Sequence, residues 1–270
     1  MKRKKYLYGT AVVLALIALL LLPISAGARH SWGNYHWARA TNPFTIKLGD
    51  NVSGLWDGML GIASSDWSQS NVLDTTVVAG GTTGSTCAPT SGRAEVCSAD
   101  YGNTGWLGLA QIWITNGSHI AQGVVKNNDF YFGNSSYQYN NTAEMQHVIC
   151  QEVGHIFGLD HQSESGASLN TCMDYYHNTS DSDTLSTHPN QHDYNQLAKI
   201  YKHKDRLSTI GAAPNAGAPA GWANADVHAQ ENWGELVSTS ANGRESLYVL
   251  DFGGGYRIFT FVTWVPGLDN

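Results

Sequence analysis

Between Cys150 and His161 the chain reads Cys-Gln-Glu-Val-Gly-His-Ile-Phe-Gly-Leu-Asp-His, and the run Cys172-Met173-Asp174-Tyr175 follows. On a helix, positions 151 and 155 lie about 400° apart, so their side chains point the same way one turn apart. That is the placement two ligands of one metal ion need. Glu152 falls on the adjoining flank, where a carboxylate can reach a metal-activated water without occupying the metal. Gly158 permits a sharp turn after the helix, which brings His161 round as a third ligand. Three protein ligands and a water make the open arrangement of a catalytic zinc site. Gln151 stands where an imidazole would be the stronger donor; its amide oxygen is neutral, so weaker zinc binding and a more acidic water are expected. His147 cannot replace it, because two helical turns set it about 12 Å from His155 along the axis. His177, His188 and His192 lie on or just beyond a flexible stretch and are the alternatives.

The elements that must position these residues follow from periodicity. Asn42 to Leu48 alternates as a strand, with Phe44, Ile46 and Leu48 on one face. Asp50 to Ser68 carries Leu55, Met59, Ile62, Ala63 and Trp67 at the spacing of an amphipathic helix. Val72 to Ala79 is β-branched and strand-like, and Ala94 to Val96 reads as a short strand. Trp106 to Thr115 and Ser118 to Lys126 form a hairpin about Asn116-Gly117, a strong turn signal. Asn127-Asn128-Asp129 has oxygen ligands suited to Ca2+, but a polar turn is the favoured reading. Thr142 to Phe157 is the metal-motif helix, with Thr142 as N-cap and Glu144 near the positive end of the dipole. Residues 162 to 190 are irregular, and Pro189 to Lys204 is a closing helix with Tyr194, Leu197, Ala198 and Tyr201 on one side. Gly211 to Ala225 is an Ala/Pro/Gly/Asn linker. Gly234 to Val265 reads as short strands, either added to the main sheet or forming a separate hairpin.

Composition narrows the setting. The chain has 270 residues, of which only 14% are charged, with 29 Gly, 13 Tyr and 9 Trp and a formal net charge of −7. Nothing in it resembles a basic nucleic-acid surface. Lys2-Arg3-Lys4-Lys5, an apolar run from Leu7 to Leu22, Pro23 and Ala26-Gly27-Ala28 make an export signal with cleavage expected after Ala28, the alternative being an uncleaved anchor. Cleavage removes four of the 15 basic residues and no acidic one, leaving 11 against 22 and a net charge of −11. A secreted protein with no membrane association after cleavage, and a monomer, is the expectation. In an oxidising compartment an even cysteine count suggests disulfides. Cys87 with Cys97 closes a short polar loop and Cys150 with Cys172 ties the metal motif to the Met173 loop. Four cysteines leave other pairings and thiolate ligation open.

Gln-Glu-x-x-His-x-x-Gly-x-x-His with a following Met resembles the signature of metzincin zinc metalloproteases, whose first position is His, and the surroundings are most similar to the matrixin type. Asp66-Trp67-Ser68, Leu109-Ala110-Gln111-Ile112-Trp113 and His192-Asp193-Tyr194 through Tyr201 extend the similarity over residues 42–205. The resemblance implies an α+β fold: a mixed twisted sheet, an active-site helix and a closing C-terminal helix, here with a small C-terminal β element. The divisions are then 1–28 signal, 29–207 metalloprotease-like domain, 208–226 linker and 227–270 β element. It also implies Zn2+ held by Gln151, His155 and His161, with Glu152 as general base and acid. Met173 becomes the Met-turn residue, and Tyr175 an extra ligand or oxyanion stabiliser. Leu109, Ala110 and Gln111 become a substrate-binding edge strand. The implied function is a secreted zinc endopeptidase acting on protein or peptide. The alternative is a non-catalytic protein of the same fold that binds a peptide or an extracellular partner. Residues 29–86 contain no cysteine, so no cysteine-switch segment precedes the domain.

Overall fold

The computed structural model describes residues 30–163, 165–213 and 217–267. The export segment Lys2–Ala28 lies outside them. Among the described residues no helix is long and apolar enough to cross a membrane. The fold is α+β. The strands are β1 (His36–Trp37), β2 (Phe44–Asn51), β3 (Leu73–Ala79), β4 (Ala94–Ala99), β5 (Trp106–Thr115), β6 (His119–Asn128), β7 (Glu235–Thr239), β8 (Glu245–Gly253) and β9 (Tyr256–Trp264). The helices are α1 (Met59–Trp67), the short α2 (Asp129–Phe132), α3 (Thr142–Ile156) and α4 (Gln191–Ile200). The strands form one nine-stranded sheet in the order β3-β2-β4-β6-β5-β9-β8-β7, with β1 beside β6. Pairing is parallel from β3 to β6 and antiparallel from β6 to β7.

The β5–β6 hairpin turns where the sequence indicates, with Asn116 and Gly117 both at positive φ. The second half of the sheet departs from expectation. β9 pairs antiparallel along β5 from Trp106 to Ile114, so Leu109–Trp113 is an interior strand and not a substrate-binding edge. All ten β5 residues are buried. Leu109 packs in the core on the sheet face away from α3. Gln111 uses its Nε2 to donate to Val227 O and Thr260 Oγ1. The reason is the period-two pattern of β9: Phe259 and Phe261 face α3, while Ile258, Val262 and Trp264 face the opposite core. A strand apolar on both faces must lie inside a sheet. Of the two placements open for residues 234–265, addition to the main sheet is the one adopted.

The 208–226 stretch does more than link. Thr209 Oγ1 donates to Ile120 O, and Trp222 is fully buried against Trp113, whose Nε1 donates to the Trp222 carbonyl. The expected helix Asp50–Ser68 is also shorter. Asp50 and Asn51 remain in β2, and glycines 54 and 58, both at positive φ, separate a 3-10 turn from α1. On α1, Leu60, Ala63, Ser64 and Trp67 face inward, and Trp67 Nε1 donates to Cys150 O of α3.

α3 is buried almost all round, so its polar residues need partners. Asn141, not Thr142, is the N-cap, its side chain accepting from Glu144 N. Thr142 instead donates to Asp181. Asn127-Asn128-Asp129 closes β6 and opens α2: Asn127 donates to Cys97 O and Asn128 caps Phe130 N, which is the polar-turn reading. The disulfides are Cys87–Cys97 and Cys150–Cys172, and the second joins α3 to the Met173 loop.

Lys126 on β6 is buried in the core that the C-terminal segment covers, with Nζ 3.2 Å from His228 Nδ1. Burial lowers its pKa from 10.5 to about 8, partly opposed by Asp226. A base whose folded pKa is depressed costs stability in full below that pKa, and the cost fades as pH rises toward the unfolded value. Lys126→Met is therefore expected to stabilise the fold by about 1–3 kcal/mol at pH 7. The gain should shrink between pH 8 and 10.5, as read by denaturant titration at several pH values. A variant that is less stable at pH 7 contradicts this account.

Candidate active site

The site is built from α3, the turn after it, the 172–175 loop and, unexpectedly, β8 and β9. His155 Nδ1 lies 2.9 Å from Leu159 O. A carbonyl only accepts, so in the neutral ring the proton sits on Nδ1 and Nε2 presents a bare lone pair. That lone pair faces His161 Nε2 at 3.0 Å. Phe261 of β9 stacks on the His155 ring, with centroids 4.3 Å apart and planes 7° from parallel. Gly158, at φ +87°, turns the chain so that His161 reaches this position. Tyr175 Oη lies 3.0 Å from His161 Nδ1, orienting the ring from its other side. Met173 is fully buried beneath α3, where Gly154 has no side chain to displace its sulfur or the Trp67 ring.

Gln151 is not directed at this pair. Its Nε2 donates to Asp174 O, and its Oε1 accepts from Thr263 of β9. Thr263 Oγ1 also lies 2.6 Å from Glu152 Oε1. A hydroxyl has one proton, so Thr263 donates to Gln151 Oε1 or to Glu152 Oε1 but not to both at once. Burial pushes the Glu152 carboxyl up to about 8, Thr263 opposing the shift, which fits a proton there at neutral pH. Glu152 Oε2 is buried with no hydrogen-bond partner. Gly108 of β5 leaves room for this side chain: a Cβ there would press on Val148 and Glu152.

Glu245, the first residue of β8, is the site residue that motif reading misses. Its Oε2 lies 3.6 Å from His161 Nε2 and has no hydrogen-bond partner. Burial, then the Glu152 carboxyl, raise its pKa well above the ordinary range. Burial, then His161, lower His155 to about 3. The site thus holds the bare Nε2 of His155 beside two buried carboxyls whose surroundings favour the neutral form, a set that a divalent cation would ionise and bind. The available hints were a lone acid opening a strand and the Phe-x-Phe-x-Thr alternation of β9. Neither has a spacing that identifies a ligand. A cavity of about 130 Å³ opens on His161, Tyr175 and Glu245, bounded by Trp32, Asp160 and Ser240.

The other histidines weighed as substitutes for Gln151 are engaged elsewhere. His177 pairs with Glu144, His188 with Asp66, and His192 stacks on His30. Two further His/Asp groups among the described residues have ligand atoms spaced so that each could hold a metal ion: His30 with His192 and Asp193, and His36 with His203 and Asp205.

Gly158→Ala tests the turn. A Cβ there would collide with the Tyr35 carbonyl oxygen, at a φ that side chains resist. The expected result is a loss of roughly 2 kcal/mol or more in denaturant unfolding, with weaker metal binding because His161 shifts. An unchanged midpoint would show that the turn tolerates a side chain.

No protein-family model, no curated protein and no solved structure matches the chain, so its chemistry rests on its own residues and their geometry.

Proposed function

We propose that this chain is a secreted, metzincin-type zinc endopeptidase whose reaction centre is closed over by its own C-terminal strands. The observation that carries this reading is the pair of imidazole Nε2 atoms of His155 and His161, 3.0 Å apart on a buried helix and its turn. Around a zinc ion with bonds of about 2.0–2.2 Å, tetrahedral ligands stand about 3.3–3.6 Å from one another. The His155–His161 separation fits that spacing within a few tenths of an ångström, and Glu245 lies 3.6 Å from His161, although the three ligand atoms are not all within 4.8 Å of one another. His155 and His161 would hold the ion, and Glu245 would close on it as it binds. Gln151, with both ends of its amide hydrogen-bonded, is a supporting residue.

Zinc bound there supplies Lewis acidity toward a carbonyl and acidifies water. Glu152 accepts the proton of the attacking water through its unpartnered Oε2 and returns it to the leaving amine. Thr263 fixes the other carboxylate oxygen and so aims the base. Tyr175, against His161, donates to the oxygen on which charge develops. The 130 Å³ cavity admits one side chain and not an extended peptide, and β9 fills the β5 edge where a peptide would add. The closed form is therefore latent, and a peptide reaches the centre only when the β8–β9 hairpin shifts enough to widen this cavity with Glu245 and Thr263 still in place.

A second reading is favoured by that same β9 pairing. A protein whose peptide-binding edge is filled by its own strand acts as a non-catalytic module and binds an extracellular partner elsewhere.

Zinc titration and peptide hydrolysis separate the two. The first reading expects His155→Ala, His161→Ala and Glu245→Gln each to weaken zinc by at least about 10-fold. It expects Glu152→Gln to lower hydrolysis by about 100-fold or more with zinc retained. Zinc uptake indifferent to His155 and His161 would sink it. Zinc binding with no hydrolysis of any peptide tested leaves the second reading.

A further inference from the structure

Apart from the site on α3, four side chains from three separated parts of the chain converge beside β1. His36 lies in β1, His119 opens β6, and His203 and Asp205 follow α4. His36 and His119 are register partners of the parallel β1–β6 pair, so the sheet itself sets them side by side. His36 Nδ1 lies 2.6 Å from Asn34 O, which fixes the ring hydrogen on Nδ1 and leaves Nε2 bare. That Nε2 lies 3.4 Å from Asp205 Oδ2 and 3.5 Å from Oδ1, and 3.0 Å from His203 Nε2. His203 Nε2 is 3.6 Å and His119 Nε2 3.5 Å from the same Asp205 Oδ1. Three imidazole Nε2 atoms thus surround one carboxylate oxygen. The other carboxylate oxygen is held by Arg39, at 2.9 Å from Nη1 and 3.2 Å from the backbone N.

The distances discriminate between two kinds of cluster. A charge-assisted hydrogen bond between imidazolium and carboxylate closes to about 2.7–2.9 Å. None of the three histidines comes that near to Asp205. Tetrahedral ligands of a zinc ion are about 3.3–3.6 Å apart for bonds of 2.0–2.2 Å. Among His36, His203 and Asp205 the separations run from 3.0 to 3.6 Å, and their ligand atoms all lie within 4.8 Å of one another, a set to which His119 does not belong. The surroundings also match a metal centre: a backbone carbonyl sets the tautomer of one ligand, and an arginine orients the carboxylate by its second oxygen. A surface cavity of about 590 Å³, bounded by Ser31, Asn34, Ser118 and Lys199, reaches His36 and His203 and gives an ion access.

We infer that His36, His203 and Asp205 form a binding site for a divalent transition-metal ion of zinc type, separate from the His155–His161 centre. Three protein ligands leave one position of a tetrahedral shell to a water from the adjoining cavity. The ion joins the tail behind α4 to β1. The inference shares no ligand with the proposed peptidase centre and does not depend on it.

The test uses the secreted full-length chain carrying His155→Ala and His161→Ala, so that zinc at the α3 site is not counted. Zinc is removed with a chelator, restored by titration, and counted by elemental mass spectrometry. One zinc per chain is expected to remain bound, with a melting temperature that rises on adding zinc. Introducing His36→Ala and His203→Ala together should weaken that zinc by more than about 100-fold and abolish the thermal shift. A background chain that takes up no zinc, or one that binds it as tightly without His36 and His203, overturns the inference. If the background chain fails to fold, the same pair of substitutions in the otherwise unaltered chain must lower the zinc count by one. An unchanged count there also overturns it.

Discussion

The main-chain pairing of β9 along β5 is the constraint on which the rest of the structure depends. It sets Phe261 against His155 and Thr263 against Glu152, and through the β8–β9 hairpin it carries Glu245 to His161. Without it, α3 would present a glutamate, a glutamine and a histidine to water from a helix otherwise wholly buried. With it, Gln151 and His155 have hydrogen-bond partners, while Glu152 Oε2 and, across from α3, Glu245 Oε2 have none. Buried acids without partners are expensive, and a fold keeps them where a cation or a proton is to be handled.

The substitution of Gln for the first histidine takes a different meaning in this setting. A histidine at 151 would meet Thr263 and the Asp174 carbonyl, the two groups that an amide satisfies with one acceptor and one donor. The glutamine is fitted to its neighbours on β9 and on the 172–175 loop. Glu245, beside His161, is the acid that the proposed centre would use where Gln151 turns away. The altered position in the motif and the added strands therefore belong to one arrangement.

Local order was legible in the sequence wherever a short-range signal exists. The Asn116-Gly117 hairpin, the helix ending before Gly158, the α4 helix and the two disulfides follow from turn chemistry, periodicity and cysteine spacing. The grouping of His155 and His161 follows from helical geometry and one glycine, and Tyr175 joins it only through the resemblance to metzincins. Long-range placement was not legible. The residues 109–113 carry the same alternation whether a strand is an edge or an interior one, and only the two-sided apolar pattern of β9 decides between them. The N-cap moved by one residue because Asn141 and Thr142 both have capping side chains. Glu245 and the His36–His119–His203–Asp205 cluster come together only through sheet register, which no local spacing encodes. Trp222, in a stretch whose composition reads as a flexible linker, is buried for the same reason.

The order of the strands also sets when the chemistry can exist. During synthesis β8 and β9 emerge after every helix and after both histidines of the α3 centre. Until they dock, the Glu152 carboxyl remains in water as an ordinary acid, without the burial that moves its protonation toward neutrality. A chain interrupted at residue 226 would carry the whole Gln151–His161 motif and both disulfides, yet lack the burial that shifts Glu152. The proposed centre is thus a property of the finished fold, timed by the arrival of its last two strands.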